Sequence, residues 1–141
     1  MIYRALRIGR WYIDFLFATS GYDIEGVIEC LRDAYAPRRI IEQAEKLMLS
    51  CKYNCGFTYA NPIRRMAVVL IGPTTSGAEF QDTFVHEVRH LADNIAKSIG
   101  YELDSEVPAY LSGDTARALA DVVCRLGCDS CRKEKGRTLT K

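Results

Sequence analysis

The spacing of apolar residues predicts two helices in the first third of the chain. Apolar side chains recur every three or four positions over about residues 24–35, which is the period of a helix with one buried face. Pro37 suits the first turn of a second helix over about residues 38–53, and Asn54 and Gly56 follow as stop signals. Pro37 therefore separates two predicted helices.

The middle of the chain changes from helical periodicity to strand composition. Residues 57–59 are aromatic or β-branched and precede Ala60, which is typical of a short strand. Residues 66–71 form a continuous apolar run, and Asn61-Pro62 between the two segments predicts a hairpin turn. Residues 2–17 mix aromatic, aliphatic and basic side chains and fit one or two strands or an early helix equally poorly. The pattern therefore predicts helices first and a small sheet in the middle, and leaves the first strands or helix open.

A long helix is predicted after the sheet. Ser76, with Glu79 three residues later, has the pattern of a capping box, and Gly100 marks the end of a helix that runs to about Ile99. One face of this helix is a continuous apolar stripe, which consists of Phe80, Phe84, Val88, Leu91, Ile95 and Ile99. We therefore expect this face to pack on the core and the opposite face to be available for other contacts.

Both histidines of the chain lie on the opposite face of that helix. His86 and His90 are four residues apart, so their side chains are about 6 Å apart on one helix face and can bind one zinc ion together. Glu87 lies between them and can remove a proton from a water molecule whose pKa zinc has lowered to about 7. Two solvated histidines and a solvated glutamate are the alternative interpretation of the same five residues.

A third ligand has to come from a carboxylate, since the chain has no other histidine. The candidates after Gly100 are Glu102, Asp104 and Glu106. Ser105 is placed to cap a helix that begins at Glu106, and this helix can return beside the histidines. We therefore select Glu106. The alternative is that an acidic residue in the first turn only complements the helix dipole.

Asp93, seven residues after His86, lies close to the histidine face. It can accept a hydrogen bond from a ligand imidazole, although an ion pair with Arg89 or Lys97 is the simpler interpretation. Farther along, Asp114 is predicted to cap a last helix over about residues 115–126.

Composition and charge exclude several classes of protein. The 141 residues are 48% hydrophobic, which fits one domain over residues 1–131 followed by a basic tail over 132–141. The net charge of +1 argues against nucleic acid as a partner, and no apolar run is long enough to cross a membrane. Asp14 interrupts the apolar stretch that would serve a secretion signal, so we expect a soluble, cytoplasmic protein.

The six cysteines are expected to be reduced thiols, because a chain of this length and apolar content needs no disulfides to fold. Two clusters nevertheless exist, formed by Cys51 and Cys55 and by Cys124, Cys128 and Cys131. Together they offer the ligands of a structural zinc site as a second possibility.

The pattern His-Glu-x-x-His on one helix, followed by a glutamate on the next, resembles the gluzincin group of zinc metallopeptidases. The resemblance covers about residues 57–113, and the segment that starts with Glu106 is similar to the glutamate helix of small one-domain zincins. It implies a single zincin-like α/β (α+β) domain, in which a small mixed or antiparallel sheet packs on the helix that carries the histidines. It also implies that Met66–Ile71 is the antiparallel edge strand above this helix.

Carried over residue by residue, the resemblance makes His86, His90 and Glu106 the zinc ligands and Glu87 the general base of peptide hydrolysis. The implied substrate is a peptide or protein. The chain departs from the larger peptidases because only fifteen residues separate His90 from Glu106 and no histidine is left to bind the oxyanion. Tyr110, one turn after Glu106, is the candidate for that role, with simple packing as the alternative.

Two other functions remain open. In the first, the zincin-like domain is a non-catalytic module that binds a partner, since a domain of this size has little room for a second wall of a substrate cleft. In the second, no metal is bound and the chain is a helical interaction protein. Metal content and the effect of zinc on thermal stability separate these possibilities.

Overall fold

A computed structural model describes residues 1–133 as a four-stranded mixed sheet with helices on both faces. The strands are β1 (Ile2–Ile8), β2 (Trp11–Phe17), β3 (Gly56–Asn61) and β4 (Met66–Ile71). Their order in the sheet is β1-β2-β4-β3. The mixed α and β architecture is confirmed, whereas the expectation that helices come first is wrong, because β1 and β2 form the first hairpin of the chain.

The helices form two groups along the chain, one between β2 and β3 and one after β4. A 3₁₀ turn at Gly21–Asp23 leads into α1 and α2, which connect β2 to β3, and the other helices come after β4. Their bounds are α1 Ile24–Asp33, α2 Arg38–Ser50, α3 Gly77–Ser98, α4 Val107–Ala118 and α5 Ala120–Leu126. Residues 129–133 add one further helical turn.

The strand that lies at the edge of the sheet is β3. It pairs antiparallel with β4, while β4 pairs in parallel with β2 on its other side. The predicted hairpin of residues 57–60 and 66–71 is confirmed. The expectation that Met66–Ile71 is the edge strand is wrong, because the second, parallel pairing buries β4 inside the sheet.

The sheet separates two hydrophobic clusters. On one face, Ile13, Phe15 and Phe17 of β2 pack against α3 and the helices that follow it. On the other face, Leu16 of β2 packs with residues of α1, α2 and β4. Successive residues of a strand point to opposite faces, so one apolar strand serves both clusters. The molecule therefore has three layers, with α3 on the face opposite to α1 and α2.

Helix α3 begins and ends where the sequence predicted, although only one of the two capping-box hydrogen bonds forms among the described residues. The Ser76 side chain accepts a hydrogen bond from the Glu79 backbone N–H at 3.1 Å. At the other end Gly100 has φ +88°, and the Tyr101 N–H bonds to the Ala96 carbonyl, which is the pattern of a Schellman motif. The apolar stripe is buried except at Ile99, which is 54% exposed because the helix has already ended at Ser98.

The last predicted helix is wrong in its start. Asp114 lies inside α4 and pairs with Arg117 at 3.0 Å, and a break at Leu119 separates α4 from α5. The predicted tail is wrong at its first residue. Arg132 belongs to the last helical turn and donates hydrogen bonds to Thr74 and to the Leu126 carbonyl. The remainder of the predicted tail, residues 134–141, lies outside the described residues.

Two of the cysteines are paired. Cys51 and Cys55 form a disulfide that closes the loop between α2 and β3, against the expectation that all thiols are reduced. Asn54, inside this loop, has φ +60° and bonds through its side chain to Thr75. The loop that leads into the edge strand is therefore held to the segment before α3. No helix in residues 1–133 is long and apolar enough to span a membrane.

Candidate metal centre

The two histidines of α3 point their Nε2 atoms at one another. Nε2 of His90 lies 3.1 Å from Nε2 of His86, and the two rings are nearly perpendicular. Two nitrogens bound to a tetrahedral zinc at about 2.1 Å are about 3.4 Å apart. Both side chains are exposed on the helix face away from the main core. Their separation is therefore close to what one zinc ion requires.

Glu87 occupies the neighbouring helix position but lies in a different environment. Its side chain is only 4% exposed because β3 packs over this part of α3. The Thr58 hydroxyl of β3 lies 3.2 Å from Oε1 of Glu87 and 3.3 Å from its backbone carbonyl oxygen. Ligand atoms of His86, Glu87 and His90 all lie within 4.8 Å of one another, and within residues 1–133 no other such group exists.

Gly56 leaves the space that the Glu87 carboxylate occupies. A Cβ atom at position 56 would lie 2.6 Å from Cγ of Glu87 and 2.8 Å from Oε2. The close approach of the edge strand to Glu87 therefore depends on glycine at this position. The sequence pattern predicts Gly56 only as a stop signal for the preceding helix. The only sequence feature that could have indicated this contact is the position of a glycine next to a predicted strand.

Burial raises the pKa of Glu87 above its usual range. The hydrogen bond from Thr58 and the two nearby imidazoles act in the opposite direction. A carboxylate in this environment is a better base than a solvated one, and a cation beside it would favour its ionised form. These two properties suit a general base next to a metal.

An open cleft of about 240 Å³ adjoins the cluster. Its walls come from the disulfide loop, β3 and α3, with Asn54, Gly56, Asp82, Thr83, His86 and Glu87 as lining residues. Asn54, Asp82 and Thr83 were not selected from the sequence, since nothing in the local pattern shows that the loop before β3 faces α3. The cleft is open to solvent beside His86, and His90 is not part of its lining.

Glu106 is not part of the histidine cluster in the structure. It is the N-cap residue of α4, its side chain is exposed, and α4 packs against α3. Arg89 of α3 contacts the loop before α4, because one guanidinium nitrogen lies 3.4 Å from the Leu103 carbonyl oxygen. Tyr110 follows one turn later, with its side chain 68% exposed. Both residues are thus on the neighbouring helix and free of the core.

Asp93 forms the ion pair that its spacing suggested. Its Oδ1 lies 2.8 Å from Nε of Arg89, so this carboxylate is engaged with the residue that also contacts the loop before α4. Within residues 1–133, neither imidazole donates a hydrogen bond to Asp93. Its part in the site is to hold Arg89, and through Arg89 the loop before α4.

The cysteine clusters do not gather into a metal site within the described part of the chain. Cys51 and Cys55 are bonded to one another, and no group of three or more potential ligands includes a cysteine there.

A scan against protein-family models and searches of curated proteins and of solved structures find no match to this chain. Interpretation of the cluster therefore rests on its geometry and chemistry.

Proposed function

We propose that the chain is a zinc-dependent hydrolase that cleaves peptide bonds. The observation that carries the proposal is the convergence of His86 and His90, with Nε2 atoms 3.1 Å apart, beside the buried carboxylate of Glu87. Two imidazoles and one carboxylate are a common donor set for catalytic zinc, and we assign the carboxylate ligand to Glu106 and the role of general base to Glu87. Zinc held there supplies a Lewis acid that polarises a carbonyl group and lowers the pKa of water.

The protein residues have separate roles in this proposal. His86 and His90 hold the metal, and Glu106 reaches from the start of α4 as the third ligand. This role requires its exposed side chain to turn towards the histidines. Glu87 accepts a proton from the attacking water and returns it to the leaving amine. Thr58 fixes the orientation of Glu87 by its hydrogen bond, and Tyr110 donates to the developing oxyanion.

The edge strand supports a peptide as substrate. β3 pairs with β4 on one side only, so the backbone groups on its other side are available to an extended peptide. A peptide added as a fifth strand would run along the cleft that contains His86 and Glu87. The backbone of such a substrate would be recognised without a second lobe.

The test compares the parent protein with Glu87→Gln, which keeps the size and the hydrogen bond of the side chain but removes the base. Each protein is loaded with zinc, its metal content is measured, and cleavage of a mixed peptide library is followed by mass spectrometry. We expect equal zinc content and a loss of cleavage of at least about a hundredfold. Glu29→Gln, an exposed substitution on α1, is the matched control and should keep full activity.

The burial of Glu87 favours one second candidate, a metal-binding module without catalysis. A carboxylate that is 4% exposed and bonded to Thr58 has limited access to a water molecule in the cleft. This candidate gains if the parent binds zinc stoichiometrically and cleaves no peptide in the library. A protein that takes up no zinc would contradict both candidates and favour a helical interaction protein.

A further inference from the structure

A second cavity lies at the C-terminal end of α3. Its volume is about 360 Å³, which is within the range of pockets that hold small molecules. The turn between β1 and β2, the turn before β4, the end of α3 and the middle of α4 enclose it. Most of its wall is apolar and comes from Ile8, Trp11, Ile95, Ile99 and Leu111.

Among residues 1–133, two arginines are the only charged residues that line this cavity. Arg10 belongs to the β1–β2 turn and Arg65 to the β3–β4 turn, and the Tyr12 N–H donates to the Arg65 carbonyl at 2.9 Å. This hydrogen bond places the two turns next to one another. No acidic residue from the described part of the chain lines the cavity. Two positive charges therefore stand at an apolar cavity without a negative charge in its wall.

Neither arginine has an ionic partner within residues 1–133. The arginines that form ion pairs there are Arg4, Arg38, Arg89 and Arg117, while Arg64 packs over the ring of Tyr35. The guanidinium groups of Arg10 and Arg65 are exposed and donate no hydrogen bond to a described residue. Their donors are available to a ligand.

The backbone at Arg65 adds an independent observation. Arg65 has φ +54°, in the left-handed region that glycine and asparagine occupy more readily than arginine. A long side chain with a Cβ atom is strained in this conformation. The turn therefore carries arginine where glycine would fold better, which is a pattern common at ligand sites.

We propose that this cavity binds a small amphipathic monocarboxylate. The apolar body of the ligand would lie against Trp11, Ile95 and Leu111, and its carboxylate would pair with the guanidinium groups of Arg10 and Arg65. Guanidinium and carboxylate groups form paired hydrogen bonds, which gives selectivity for an acid over the matching amide. An aliphatic or aromatic acid with about ten non-hydrogen atoms fits a cavity of this volume.

The site can be observed directly, because Trp11 is the only tryptophan of the chain and forms part of the cavity wall. Its buried indole N–H gives a single resonance in a two-dimensional ¹⁵N NMR spectrum. The probes are octanoate, 3-phenylpropionate and the corresponding amides, each titrated into the full chain. We expect both acids to shift the Trp11 resonance with Kd of about 0.1–1 mM, and the amides to bind at least about fivefold more weakly.

Two variants test the role of the charges. Arg10→Gln removes one guanidinium, and Arg65→Gly removes the other while it relieves the left-handed backbone, so loss of folding is not expected. Each should weaken octanoate binding about threefold to fivefold, and the double variant about tenfold or more. Arg64→Gln is the matched control, because this neighbouring arginine does not line the cavity.

Three results would overturn the proposal. The first is that neither acid shifts the indole resonance. The second is that acids and amides bind equally, which would describe an apolar cavity without charge recognition. The third is that only a peptide with an apolar C-terminal residue binds, which would assign the two arginines to a protein partner. Removal of zinc with a chelator should leave octanoate binding unchanged, so the outcome is independent of the metal centre.

Discussion

The middle and the C-terminal end of α3 differ in how their residues come together. In the middle, His86, Glu87 and His90 are neighbours in sequence, and the helix alone places two imidazoles on one face. At the end, the cavity wall comes from two turns and two helices that are distant in sequence. The first site offers candidate metal ligands at the surface. The second offers an apolar wall with two arginines that have no ionic partner among residues 1–133. A site whose residues are neighbours on one helix can be predicted from the sequence. A site whose residues come from distant segments cannot be, because it depends on how those segments pack.

Removal of one imidazole should change zinc binding in the middle of α3 and leave octanoate binding at its C-terminal end unchanged. His86→Ala and His90→Ala should each lower zinc affinity by more than about a hundredfold, because two remaining donors do not hold zinc well. Isothermal titration with zinc gives the affinity, and octanoate binding to the same variants should not change. Undiminished zinc affinity in both variants would show that the histidines are not ligands.

Gly56 tests whether the middle region depends on the approach of the edge strand. Gly56→Ala places a methyl group 2.6 Å from Cγ of Glu87, so either β3 or the carboxylate has to move. We expect a loss of about 1–3 kcal/mol in the free energy of unfolding, measured by urea denaturation, together with reduced peptide cleavage.

The control for that substitution is Gly113→Ala in α4, where an added Cβ meets no atom within 4 Å. Alanine should stabilise the helix there by about 0.5–1 kcal/mol. Equal effects of the two substitutions would mean that Gly56 does not constrain Glu87.

Glu87 tests the electrostatics of the same region in the metal-free protein. Its pKa is raised in the folded state by burial, so the stability that its protonated form contributes is present in acid and is lost as pH rises through the folded pKa. With a chelator present, Glu87→Gln should therefore be more stable than the parent at pH 7. The difference in urea midpoint should narrow as pH falls. A difference that is independent of pH would contradict burial as the cause.

The smallest expected effect concerns the cavity at the C-terminal end of α3. Arg65→Gly should raise the free energy of unfolding by about 0.5–1 kcal/mol, because glycine adopts φ +54° without strain. The same variant is expected to lose octanoate affinity. A variant that is both less stable and unable to bind would indicate that Arg65 holds the turn rather than a ligand, and thermal unfolding distinguishes the two cases.

The features that could be predicted from the sequence are those that a few neighbouring residues determine. The Ser76 cap and the Gly100 end of α3 follow from backbone requirements within a few residues. The β3–β4 hairpin likewise follows from two apolar segments and an Asn-Pro turn. The break at Leu119 between α4 and α5 was not predictable, since residues 107–126 carry no glycine or proline at that point.

Within the candidate metal centre, the sequence by itself determined that His86 and His90 share a helix face, because their spacing matches the helical repeat. Only the tertiary structure decided that β3, rather than β4, covers Glu87, since strand order depends on the parallel pairing of β2 with β4 across about fifty residues. The same packing brought Arg10 and Arg65 together at one apolar cavity. Contacts of this kind depend on how whole elements are arranged, and that arrangement is set by burial of their combined apolar surface rather than by any local pattern.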